Sequence, residues 1–159
     1  MSDRYAEGTK VAVTKSLAEI EDLVRKRGGQ KFYRGEQDER MVLGWWQSER
    51  MVMFGVTMPP LKQFERKPRG YGTRPLPEQR ALQEQAMREQ WRAVLLVIKA
   101  KYASVDAKIE TFEESFLGQL VVPDPETGRP SPYARIAIKA IADVYTGGTM
   151  KQLGAGGAP

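Results

Sequence analysis

Apolar positions along the chain change period twice, and the changes mark out the elements. From Ser16 to Val24, Leu17, Ile20, Leu23 and Val24 recur at steps of three and four, one face of a helix. Ser16-Leu-Ala-Glu19 reads as a capping box that opens this helix, and Gly28-Gly29 reads as its left-handed stop. Upstream, Lys10–Thr14 has the composition of a short strand. Between residues 31 and 58 the period falls to two. Strands are expected at 31–35, 41–47 and 50–58, with Glu36-Gln-Asp-Glu39 turning the chain and Ser48-Glu49 forming a two-residue hairpin turn.

That turn dictates a register in which Trp45 opposes Val52, Leu43 opposes Phe54 and Met41 opposes Val56. These six side chains then share one apolar face, for which the first helix is the natural cover. The opposite face carries Val42, Gly44, Trp46, Met51 and Met53, with few charges. A sheet with one wet face alternates apolar and polar residues, so this second face also calls for a cover: the long helix that follows, or a partner. Trp46, Met51 and Met53 are accordingly a candidate protein-binding face.

Helical spacing returns after Pro77. Met87, Trp91, Val94, Leu95, Ile98, Tyr102, Val105 and Ile109 form one stripe along a helix of about 30 residues, expected from Glu78 to near Lys108. Its length suggests a homo-oligomer joined through the long helix. A second capping box, Thr111-Phe-Glu-Glu114, opens a short helix bearing Phe112, Phe116, Leu117 and Leu120. Val122–Gly128 reads as a loop, and a last helix with Tyr133, Ile136, Ala137, Ala140, Ile141 and Val144 begins at Ser131-Pro132. The fold class is α+β: an N-terminal helix on a small antiparallel sheet (hairpin 41–58), then a long helix and two shorter C-terminal helices. One domain spans 1–145, with a basic Pro/Gly loop at 61–76. The Gly/Ala-rich segment 146–159 is expected to be a disordered tail.

Composition narrows the chemistry. The chain has 159 residues, no cysteine and no histidine. Disulfides and thiolate metal sites are excluded, and imidazole-based catalysis with them. No cofactor, metal or catalytic residue is expected. The longest apolar run, Ala93–Ile98, is far too short to cross a membrane, and no secretory signal follows Met1, so a cytoplasmic location is expected. Glu65-Arg66-Lys67 matches half of a metal-dependent nuclease motif, but no upstream Asp sits on a neighbouring strand to share a metal.

The net charge of +5 is localised. Residues 61–74 hold five Lys/Arg against one Asp/Glu, while the segments before and after carry ten against nine and ten against ten. Phe64 and Tyr71 are interleaved with these cations. Basic groups for phosphates beside aromatic faces for bases suit sequence-tolerant single-strand binding. Lys62, Arg66, Lys67, Arg69, Tyr71 and Arg74 are the candidate nucleic-acid-binding residues; a plain linker is the competing reading.

Two stretches carry a family likeness: Arg4-Tyr-Ala-Glu-Gly-Thr-Lys-Val11 with the helix after it, and Trp91-Arg-Ala-Val-Leu-Leu-Val-Ile-Lys-Ala-Lys101 followed by Glu110-Thr-Phe-Glu-Glu-Ser-Phe-Leu117. The hairpin ending Val56-Thr-Met-Pro-Pro60 fits the same pattern. From Arg4 to about Leu120 the chain resembles a family of small tailed-phage and prophage proteins of no assigned activity. The resemblance implies phage or prophage origin, and so the cytoplasm of a bacterial host cell, and supplies no site residues. The expectation is a non-catalytic accessory protein that binds nucleic acid in replication or recombination. The alternative is a protein-binding factor that inhibits or redirects a host enzyme or defence complex.

Overall fold

In the computed structural model the chain is described over residues 10–37, 40–70 and 72–146. It runs α1 (Val13–Lys26), β1 (Gln30–Gln37), β2 (Arg40–Gln47), β3 (Arg50–Thr57), α2 (Leu76–Asp106), α3 (Phe112–Phe116), β4 (Val121–Pro123), β5 (Pro130–Pro132) and α4 (Tyr133–Thr146). The α+β class is as expected. β1, β2 and β3 form an antiparallel sheet in that order, and β4 pairs with β5 in a second, two-stranded one. The tail 147–159 lies outside the described residues.

The hairpin has the expected register: Met41 pairs with Val56, Leu43 with Phe54 and Trp45 with Val52. Ser48 and Glu49 both take positive φ, 50° and 61°, the mirror-image turn whose twist matches that of the strands it joins. α1 ends as its glycines demand. Gly28 sits at φ 87°, its N–H reaches Arg25 O, and Gly29 N–H reaches Val24 O.

One core joins the first sheet face to three helices. Leu43, Trp45, Val52, Phe54 and Val56 pack with Leu17, Ile20 and Val24 of α1, with Met87, Trp91, Leu95, Ile98 and Tyr102 of α2, and with Phe116. Thus α1 does not cover this face alone; α2 lies beside it. The capping box at Thr111 holds α3 in place, with Thr111 Oγ1 accepting from Glu114 N–H and Glu114 Oε2 accepting from Thr111 N–H.

Four local expectations are corrected. Lys10–Thr14 is not a strand, because α1 already begins at Val13. Ser16 is therefore no cap: it lies inside the helix, wholly buried, and its hydroxyl has no hydrogen-bond partner among the described residues. Its supposed partner Glu19 pairs instead with Arg92 of α2 at 3.0 Å. Ile109 falls beyond the end of α2 and is 76% exposed, so the apolar stripe stops at Val105. Finally, the expected loop at 122–128 is part of a hairpin: Val122 and Pro123 belong to β4, and Asp124–Gly128 lie in its turn. Asp124 Oδ1 accepts from the N–H groups of Glu126 and Thr127, Gly128 takes φ 68°, and Leu120 bridges Val52 at the outer edge of β3.

The Ser16 result reverses the sign of a prediction. Loss of a true cap would destabilise the protein by about 1 kcal/mol. Removing an unpaired buried hydroxyl should stabilise it instead, so Ser16→Ala is expected to raise the unfolding free energy by about 1 kcal/mol in urea titrations.

Tyr102 gives a pH prediction. Its hydroxyl donates to Gln47 Oε1 at 2.6 Å, and burial pushes its pKa up to about 12 from the ordinary 10.0. The unfolded chain releases this proton first, so stability should fall as pH rises between those two values. Tyr102→Phe should flatten that fall in thermal melts across the alkaline range.

Candidate functional site

The segment between β3 and α2 is a built loop. Pro59-Pro60 ends β3, a single 3-10 turn follows at Leu61–Phe64, and another lies at Pro68–Gly70. Arg66 and Thr73 form a bridge, Arg74 N–H donates to Glu65 O at 2.7 Å, and Lys67 N–H donates to Gly72 O at 3.2 Å. Gly70 and Gly72, both at φ 77°, allow the tight return. Two glutamines on the first turns of α2 pin the loop's ends: Gln83 Nε2 donates to Pro59 O at 2.8 Å and Gln79 Nε2 to Arg74 O at 2.7 Å.

Arg74 has a structural role here. Its side chain is only 15% exposed; Nη1 donates to the carbonyls of Phe64 and Arg66, and Nε pairs with Glu78 at 3.2 Å. Its charge is committed to closing the loop. Lys62, Arg66 and Lys67 are exposed, and none forms an ion pair among the described residues. The Arg69 side chain and Tyr71 lie outside the described residues. Among the described residues the loop therefore presents Lys62, Arg66 and Lys67 exposed and without an ion pair. Glu78, four residues after Arg74, was the sequence signal for the staple.

On the second sheet face, Trp46, Met51 and Met53 share a side but not an environment. Trp46 is 42% exposed, with Lys31 Nζ 5.7 Å from its ring centre, and Met51 is half-buried. Met53 is buried at 6% exposure, as is Val42, so Met53 is removed from the candidate protein-binding face. The long helix is not what shields them, because it lies on the other face. They floor a groove walled by β5 and the first turns of α4. The largest apolar surplus among the described residues lies on α4. None of its residues is buried, and Ile138, Ile141 and Tyr145 are 65%, 54% and 65% exposed.

Among the described residues no three acidic side chains gather to hold a metal ion, and no helix is long and apolar enough to cross a membrane. Comparison with family models, curated proteins and solved structures returns no match.

Proposed function

We propose that this chain is a non-catalytic accessory protein of phage or prophage origin that binds nucleic acid, sequence-tolerantly, in replication or recombination. One observation carries the reading: the loop holds Lys62, Arg66 and Lys67 exposed and without an ion pair among the described residues, while Arg74 bonds the loop's own carbonyls. Cations held in place lose less freedom on meeting a phosphate backbone than cations on a loose linker. The phage setting rests on the resemblance over residues 4–120 alone.

Fluorescence anisotropy with single- and double-stranded oligonucleotides at two salt concentrations tests the proposal. The expected result is salt-sensitive binding that favours single strands and ranks different sequences alike. Absence of binding at low salt would end this reading.

A second reading, contact with a protein, is favoured by the exposed apolar side chains of α4 and by Trp46. Sedimentation velocity over a range of concentrations tests the simplest such partner, a second copy. Association abolished by Ile141→Glu would place that contact on α4. A constant monomer mass would remove self-association, and association that survives the substitution would take the contact away from this face.

A further inference from the structure

The second face of the sheet holds two aromatic residues open to solvent, side by side. Tyr33 of β1 pairs with Gly44 of β2, and Trp46 follows two residues along β2 on the same side. Such diagonal neighbours lie about 7–8 Å apart. Glycines make the room: a Cβ at Gly35 would collide with Tyr33 Oη, so the tyrosine lies along its own strand. A Cβ at Gly44 would meet Met51 Cε at 3.6 Å and Tyr33 Cδ1 at 3.9 Å, so both side chains reach over the same glycine. Tyr33 and Trp46 are 46% and 42% exposed, whereas the aliphatic groups of this face, Val42 and Met53, are buried. What the face offers to a partner is therefore aromatic rather than aliphatic.

The charges around it are mostly of one sign. Lys31 Nζ lies 5.7 Å from the Trp46 ring centre, on an exposed side chain flexible enough to yield the ring to a base. At the other end, Arg40 and Arg135 line the groove floored by Val42 and Met53, with no Asp or Glu among its described lining. Glu49, in the hairpin turn, is the one acid among the described residues lining the cavity beside Trp46. An anionic chain is thus attracted to both ends of the aromatic stretch. We propose that this face is a stacking platform for the bases of single-stranded nucleic acid, with Tyr33 and Trp46 as its two rings. Paired aromatic residues on an open sheet face suit successive bases of one strand, whose faces a duplex would keep covered. The inference rests on the nucleic-acid reading and extends it: the loop cations hold phosphates and the sheet takes bases. The chain leaves β3 for the basic loop just beyond Thr57, which pairs with Arg40, so the loop departs from the arginine end of the platform.

The test is a fluorescence titration of the full chain with single-stranded homopolymers of thymine and of adenine, and with inorganic polyphosphate, which has the charge without the bases. Trp45 and Trp91 are buried, so quenching of tryptophan emission reports on Trp46. Both homopolymers are expected to quench it saturably. Trp46→Leu and Tyr33→Leu keep an apolar group but lose the ring, and each should weaken binding roughly 5- to 100-fold. Phenylalanine at either position should retain most of the affinity. None of these changes removes a charge, so the salt slope should stay that of the parent chain. Polyphosphate should bind without comparable quenching and should not respond to the leucine variants. Each position serves as the check on the other if one variant fails to fold. Oligonucleotide binding untouched by both leucine variants, or equal quenching by polyphosphate, would overturn the platform alone; it would leave the loop in place and return this face to a protein partner. No oligonucleotide binding at low salt would end both readings together.

Discussion

Replacing Trp45 by alanine is expected to cost about 3–5 kcal/mol, the most damaging single substitution anticipated in this chain. Trp45 is fully buried at the centre of an aromatic cluster. Its ring stacks on Phe54 at 5.8 Å and on Phe32 at 6.4 Å, and meets Phe116 edge-on at 6.1 Å. It therefore ties β1, β3 and α3 together from β2. Its Nε1 donates to Gln47 Oε1 at 3.3 Å, the acceptor that Tyr102 also uses, so truncation disturbs the attachment of α2 as well. A loss of that size is a large share of the roughly 5–15 kcal/mol that holds a typical domain folded. Urea titration followed by circular dichroism checks it. Trp46→Ala is the internal control: its neighbour points to the other face, is partly exposed, and should cost about 1 kcal/mol or less. Similar losses for the two tryptophans would contradict the sidedness of the sheet.

The second large effect belongs to the basic loop and is read in salt dependence. If Lys62, Arg66 and Lys67 each contact one phosphate of a single strand, the log–log salt slope should be about −2, at roughly −0.7 per contact. Affinity would then fall about fourfold for each doubling of salt. Changing all three to alanine should bring the slope close to zero and weaken every sequence alike, since phosphates carry no sequence information. Stability should stay within about 0.5 kcal/mol, because the three side chains are exposed and have no ion pair among the described residues. Arg74→Ala should behave differently. It removes bonds to two loop carbonyls and the pair with Glu78, so it should lower stability by about 1 kcal/mol and reduce affinity by loosening the loop. A slope unchanged in the triple variant would assign the binding to other residues.

The contrast between these arginines shows where the sequence stops being informative about the site. The cluster of charge at 61–74 is plain in the linear order of residues. Which cations face water is not, because Arg74 is taken up by carbonyls eight and ten residues earlier, once the chain has doubled back on itself. The same holds for the second sheet face. Tyr33 and Trp46 lie in separate strands, and only the pairing of β1 with β2 brings them side by side.

What the sequence determined by itself is the local part of the fold. Alternation at 41–57 and the two-residue turn at Ser48-Glu49 set the hairpin register, because a slip of one residue would invert every side chain. Gly28-Gly29 ended α1 and Thr111–Glu114 began α3 through short-range hydrogen bonds that need nothing from the rest of the chain. Tertiary structure decided the rest. Ser16 has the local pattern of a cap, yet it is buried inside α1 without a partner. The short strands β4 and β5, with a proline at three of their six positions, show no alternation to read; they form around the Asp124 turn beside the edge of β3. Both long apolar stripes, of α1 and α2, went to one face of the sheet, leaving α4 to lie at the border of the other. Periodicity tells a segment which of its sides is apolar. Which apolar sides then meet is settled by long-range packing, where many arrangements satisfy the same local pattern and only the whole chain selects among them.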